Sequence, residues 1–247
     1  MAQPPVKPLV TAAAQVCFVR LGTFQHAIDF RALMEWRSNL FSVVSTKQSL
    51  DHLPDPKMEG GFSDAELEEQ LKPTDNGNVL TIGIVDAALS GGFYLRRLSG
   101  NRAVISVYEV AEEIKEHHCS VESLILRNVY QLVVAYYNFN GVIPPSISKL
   151  SHDEVRGCVF DFNVNKFDVV RSLNKPILCK PCREKIAQPY VKGLLPKLDA
   201  ELKKIRKPLF FRIADFVEKR PIASAIITLL TGLALNVAAS FIYDYIK

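Results

Sequence analysis

The sequence predicts an α+β domain followed by a helical stalk and one transmembrane helix. Three observations predict it. Two apolar runs of strand length, VLTIGIV at residues 79–85 and AVISVY at 103–108, lie among stretches of helical pattern. Residues 121–137 carry apolar side chains on more than one helical face, the pattern of a largely buried helix. Residues 221–243, PIASAIITLLTGLALNVAASFIY, hold no charged residue at all.

Taken in order, residues 1–9 are proline-rich and predict a flexible arm. QVCFVRL at 15–21 alternates and is rich in β-formers, so it predicts a strand. Residues 25–36 have helical spacing, and NLFSVVS at 39–45 predicts a second strand. LPDPKMEGG is a loop. Ser63 and Glu66 then form a capping box that opens a solvated surface helix, AELEEQLK. Asp75-Asn76-Gly77 is a turn, and the run 79–85, ending at Asp86, predicts a central buried strand. AALSGGFYLRRLSGNR reads as a loop or hairpin bent at its glycines, before the strand 103–108 and the long helix. A loop with Pro144-Pro145 leads to a cysteine-bearing region. From Tyr190 the chain is helical, broken at Lys207-Pro208. In LFFRIADFVEKR, Leu209, Phe210, Ile213, Phe216 and Val217 form an amphipathic face suited to a lipid interface.

The charge-free run would make a helix about 34 Å long, enough to cross a hydrocarbon core of about 30 Å. A buried core helix is the alternative. Within the run, Ser224, Thr228, Gly232, Asn236 and Ser240 recur every four residues and form an inclined ridge of small and polar side chains. Such ridges let membrane helices pack closely, and an asparagine at mid-membrane wants a partner helix or a wet lumen. The ridge predicts a homo-oligomer through this helix, one able to make a pore; a passive anchor with incidental small residues is the other reading. Nine basic residues fall within 192–220. By the positive-inside rule this places a single-pass protein in the inner (plasma) membrane with its N-terminal domain cytoplasmic. MAQPPVKP lacks the apolar core of a signal peptide. The expected organisation is therefore a flexible arm at 1–9, a cytoplasmic α+β sensor domain at 10–189, basic amphipathic juxtamembrane helices at 190–220 and the membrane helix at 221–243. About 190 residues before the tail suit one globular domain. The net charge of +4 is mild in total but uneven in place.

A cytoplasmic domain keeps its five cysteines reduced. Cys179 and Cys182 have the CxxC spacing of a zinc half-site. Cys158 lies 21 residues before Cys179, and His152 lies six before Cys158. Four such ligands suit a closed tetrahedral zinc site, structural because no coordination position is left for water. Asp153 is the fallback fourth ligand, and buried free cysteines beneath a turn are the alternative. Phe93 and Tyr94 lie beside Arg96, Arg97 and Arg102. Arginine forks with aromatic neighbours can bind phosphates and stack bases, so Tyr94, Arg96, Arg97 and Arg102 are candidates for a nucleotide or single-stranded nucleic-acid ligand; a solvated hairpin is the bland reading. No Walker loop, GxSxG, GxGxxG or HExxH occurs. A site built from His117, His118 and Glu122 is conceivable, but vicinal histidines are usually surface residues.

The order strand VLTIGIVD, FYLRRLSG, strand AVISVYEV, long helix, H-x5-C-V-F and CxxC, over residues 79–185, resembles the archaemetzincin-like zinc peptidases. The resemblance implies a zincin-like fold. It matches Cys158, Cys179 and Cys182 to three of that family's four structural zinc cysteines, Asp153 to the position of the first, and His152 to the third catalytic histidine. It also places Tyr130, Gln131 and Val134 where the family's helix carries its first histidine, glutamate and second histidine. On that departure the expectation is a chain that is not an enzyme, with no catalytic residues and a structural zinc retained. In architecture the chain also resembles membrane effectors of prokaryotic antiphage defence of the Hailong type, which implies a nucleotidyltransferase partner. The resulting expectation is an oligomeric, pore-forming membrane effector that senses a nucleotide, oligonucleotide or protein signal. A membrane-anchored metallopeptidase and a passive tail-anchored adaptor are the alternatives.

Overall fold

Strand β3 (Val79–Val85) is buried along its whole length because it has parallel partners on both edges and helices on both faces. The structure is a computed structural model that describes residues 13–45, 48–57, 59–73, 78–145, 150–186 and 193–246. The arm expected at 1–9, the Asp75-Asn76-Gly77 turn and Lys192 lie outside the described residues. β1 (Ala14–Leu21) pairs with β3 on one side, and β2 (Phe41–Val43) extends the sheet beyond it. β5 (Arg102–Ser106) pairs with β3 on the other side, and β4 (Leu95–Leu98) closes that edge antiparallel. The order is β2-β1-β3-β5-β4, a mixed sheet packed with helices, in keeping with the α+β domain that the strand and helix patterns predict.

The two-residue side-chain period sorts the core into two layers. Val16, Phe18, Leu80, Ile82, Ile84, Ala103 and Ile105 face the main core, which includes α3 (Val110–Glu116) and α4 (Val121–Asn138). Cys17, Val19, Leu21, Val79, Val85 and Val104 face a smaller layer beneath α2 (Asp64–Gln70), with Leu67 and Leu71. Gly83 belongs to that second face. A Cβ there would stand 2.7 Å from Leu21 Cδ1, so only glycine admits the close approach. The Ser63–Glu66 capping box forms as expected, though Glu66 and Leu67 are buried, so α2 is not wholly solvated. α4 is capped by Ser120 and buried over residues 123–137.

Some local expectations are corrected. The helix expected over 25–36 shrinks to α1 (Phe30–Met34). Backbone groups before it are taken by side chains instead: Gln25 N–H donates to Asp86 and Asp29 N–H to Glu122, while Asp29 caps Ala32. The glycine-rich segment resolves into a 3-10 turn, Ser90–Gly92, and the β4–β5 hairpin. Neither α3, nor the 3-10 helix Lys166–Ser172, nor α5 (Lys180–Ile186) was expected. α6 (Leu195–Leu202) buries Leu195, Leu198 and Leu202 in the main core. Its buried Glu201 accepts hydrogen bonds from Tyr130 OH, Ser38 Oγ and Asn39 N–H, locking α6 to α4 and to the approach to β2.

The segment after β1 is joined to the end of β3 through a histidine. His26 Nδ1 lies 3.2 Å from Asp86 Oδ2, and Nε2 lies 3.0 Å from Glu112 Oε1. Burial works against the imidazolium, but the two carboxylates outweigh it and raise the pKa above its usual 6.5. A folded pKa above the unfolded one stabilises the fold fully below about pH 6.5, and that contribution is lost as pH rises through the raised value. Thermal melts at pH 6 and pH 8 should therefore show the parent losing stability at the higher pH. His26→Leu should flatten that difference; an unchanged slope would remove the role of this triad.

The chain divides into two units, residues 1–206 and 207–247. The second holds α7 (Leu209–Lys219) and α8 (Pro221–Ile246). Over residues 221–244, α8 is long and apolar enough to cross a membrane, with mean hydropathy 2.0 and no residue buried. Arg220, at φ −140° and ψ 62°, separates the two helices.

Candidate metal centre

His152, Cys158, Cys179 and Cys182 converge, with their donor atoms all within 4.8 Å of one another. The local chain explains how. Residues 152 and 161 form a bridge in which Phe162 N–H donates to His152 O, so the histidine folds back beside the turn that starts at Cys158. A second bridge joins Cys158 to Ile177, bringing the CxxC segment alongside. Gly157, at φ +73°, allows the chain to enter this turn with Arg171 O close by. Cys179 immediately precedes α5 and Cys182 lies within its first turn, so one helical turn presents both sulfurs on the same side.

The residues fit zinc. Tetrahedral bonds of about 2.3 Å to sulfur and 2.0–2.1 Å to nitrogen put ligand atoms about 3.5–3.8 Å apart, and Cys179 Sγ lies 3.4 Å from His152 Nε2. His152 Nδ1 donates to Glu154 O at 2.8 Å, which leaves Nε2 as the ligand nitrogen. Backbone N–H groups of Phe160 and Cys179 point at Cys158 Sγ, each at 3.4 Å, and support a thiolate there. The neighbouring Cys182 thiol pulls the Cys158 pKa down, and the same proximity with burial pushes that of Cys182 up; the Cys182 S–H donates to Leu150 O at 3.2 Å. Such a packed thiol set calls for a divalent cation. The three cysteines are buried and four protein donors would leave a tetrahedral ion no open position, so zinc would be structural here. Asp153 is exposed and stands outside the group.

Two residues that sequence reasoning missed surround the cluster. Asp161 is buried; its Oδ2 accepts from the N–H groups of Arg156 and Cys158. Its Oδ1 lies 3.4 Å from His152 Nε2 with no hydrogen-bond donor among the described residues. Burial raises the Asp161 pKa against those two N–H bonds. Arg127, on α4, is completely buried. It donates to the carbonyls of Cys158 and Asp161 at 3.2 Å each, to Ser172 Oγ at 3.2 Å and to Asn128 Oδ1 at 2.8 Å. An arginine midway along a helix that is apolar on more than one face was the available signal, because a buried guanidinium must find acceptors.

A cleft of about 270 Å³ adjoins the centre, sharing Asp161 and lined also by Tyr94, Arg96, Arg97, Gln131 and Phe162. It collects three of the four residues expected to bind a ligand. Arg97 is the least committed: its Nε makes a long 3.4 Å bond to Pro145 O, and burial with the neighbouring Arg96 lowers its pKa. Arg96 is held by both oxygens of Asp64, at 2.6 and 2.5 Å. Tyr94 is buried, with its OH accepting from Asn163. Arg102 does not line the cleft; it is buried and donates to Ser99 O, Glu68 O and Leu71 O.

On α4, Tyr130 OH is tied to Trp36 and Glu201, while Gln131 reaches the cleft and Val134 is core. His117 and His118 are exposed, and Glu122 is engaged by Asp29 N–H, so these three form no cluster. On α8, Ser224, Thr228 and Ser240 hydroxyls donate to carbonyls of their own helix. The Asn236 side-chain amide has no hydrogen-bond partner among the described residues, its backbone carbonyl accepting from Ser240, and Gly232 faces open space.

No protein-family model and no curated protein matches the chain. Among solved structures it is similar to an archaemetzincin from Methanopyrus kandleri, at 17% identity and a TM-score of 0.43, covering 74% of this chain and 98% of that one. It is also similar to an archaemetzincin from Archaeoglobus fulgidus complexed with malonate, at 20% identity and a TM-score of 0.38, covering 69% and 99%. The expectation that the chain is not an enzyme is corrected on this finding. Both neighbours are archaemetzincins, the peptidase family that the motif order resembles, and a helix without HExxH does not establish that the domain is catalytically silent.

Proposed function

We propose that this chain is a membrane effector. In this reading a zinc-stabilised domain receives an anionic ligand in the cleft beside Arg97, and α8 spans the membrane and assembles with α8 of further copies, opening a pore. The observation that carries it is a 24-residue apolar helix with none of its residues buried, in a chain whose other unit has its own hydrophobic core. Asn236 supports assembly, since an unpaired amide in hydrocarbon is costly and a second helix relieves the cost. The three cleft residues Tyr94, Arg96 and Arg97 support a phosphate-bearing ligand, a nucleotide or a short single strand. Inner-membrane placement with the domain in the cytoplasm rests on the basic residues of 192–220. The antiphage setting and the nucleotidyltransferase partner rest on likeness of architecture alone.

The experiment is membrane potential in living bacteria expressing the full chain or a chain ending at Lys219. Depolarisation by the full chain alone is the expected result; equal potentials in both, with the full chain in the membrane fraction, would leave only an anchor. Asn236→Leu should weaken self-association by about 1–2 kcal/mol per helix contact, read by cross-linking in detergent or bilayers. Unchanged cross-linking and unchanged depolarisation would count against the ridge.

A further inference from the structure

Helix α7 presents an apolar face that nothing in its own unit covers. At 100° per residue, Phe216, Leu209, Ile213, Val217 and Phe210 fall within an arc of about 120°. All five are exposed, Leu209 by 64% and Phe210 by 73%. The opposite side carries Arg212, Asp215, Glu218 and Lys219, and Asp215 is neutralised by Lys207 Nζ at 3.0 Å. Residues 203–220 hold seven basic side chains against two acidic ones. The non-helical Arg220 ends α7 before Pro221 begins α8, so α7 is not the first turns of the long helix. A continuous helix would carry Arg212 and Lys219 along the spanning axis. A separate one can lie flat, with its apolar arc down and its basic edge at headgroup level.

We infer that α7 is a binding element for an anionic bilayer surface, lying in the plane of the interface with Arg212, Lys219 and Arg220 against phospholipid phosphates. The inference rests on the reading that α8 spans the membrane, which delivers α7 to that surface. Charge selects the occupant. A second copy of α7 would bring like charges together, whereas anionic headgroups offset them. Each basic residue near such a surface is worth about 1 kcal/mol, or about fivefold.

The test uses the full chain in vesicles of phosphatidylcholine, with or without a quarter phosphatidylglycerol. Trp36 is the single tryptophan, so a Trp36→Phe background leaves room for one reporter. Phe210→Trp probes the apolar face of α7, Glu218→Trp its polar face and Leu230→Trp the middle of α8. Expected are a blue-shifted emission and quenching by lipids brominated near the headgroup for Phe210→Trp, and neither for Glu218→Trp. Energy transfer from the Phe210→Trp reporter should favour dansyl-labelled phosphatidylglycerol over phosphatidylcholine. That preference should fall about fivefold with each of Arg212→Gln and Lys219→Gln. If Leu230→Trp is quenched by deeply brominated lipid while Phe210→Trp is not, α8 spans and the inference about α7 is overturned. If Phe210→Trp is quenched without preference for phosphatidylglycerol, the anionic partner is overturned. If Leu230→Trp is not quenched, the spanning reading fails first and takes this one with it.

Discussion

Cys179→Ser, or chelation of the metal, is expected to unfold the zinc-bearing domain. Structural zinc contributes about 10–16 kcal/mol of apparent binding free energy in small domains, against a typical net stability of about 5–15 kcal/mol. Here Cys179, Cys158 and His152 are also the points where three separate chain segments meet, so losing the ion releases the turn at 157–162 and the start of α5 together. The purified chain should carry one zinc, and removal should abolish the cooperative thermal transition followed by near-ultraviolet dichroism. Addition of zinc should restore it to the parent chain and not to the Cys179→Ser chain. A melting temperature unchanged by the substitution would remove zinc from this account.

Arg127→Met should be the most damaging substitution away from the four ligands, at about 3–5 kcal/mol. Methionine fills much of the volume but leaves the carbonyls of Cys158 and Asp161 and the hydroxyl of Ser172 without their buried donor. There is an electrostatic cost as well. Three thiolates, a neutral histidine and Zn²⁺ sum to one negative charge, and Asp161 stands beside them. Among the described residues no carboxylate forms an ion pair with Arg127, so its buried charge is set against that centre. Arg127→Lys, which offers a point charge in place of a planar fork, should recover only part of the loss. Denaturant midpoints at saturating zinc measure the effect. A shift below about 1 kcal/mol would mean that water substitutes for the guanidinium.

The legible parts of the fold were those in which local pattern and tertiary environment agree. The runs 79–85 and 103–108 are apolar because both faces of those strands are covered, and Ser63–Glu66 caps α2 by local geometry alone. The ligand spacing also survives, since CxxC across the start of a helix needs no distant information. What was not legible depends on contacts far along the chain. Gln25 and Asp29 leave the expected helix because Asp86 and Glu122 take their N–H groups. Arg102 looks like a ligand residue beside Arg96 and Arg97, yet the carbonyls at 68 and 71 consume it. Asp161 carries no spacing signal; it matters because a bridge sets it beside His152.

The parallel ladders also govern how fast the chain reaches this state. β1 finds its neighbours only when residues 41–43 and 79–85 arrive, and the Glu201–Tyr130 lock joins positions 71 apart. Each of these closes a long loop before any ladder compensates the lost freedom. Sheets of such high contact order fold in roughly milliseconds to seconds, far slower than helical bundles. Throughout that interval the bare strand edges share the solution with α8, which offers 24 residues of apolar surface to any neighbour. Refolding by dilution should therefore partition toward aggregate as concentration rises, and lipid or detergent that sequesters α8 should restore the yield.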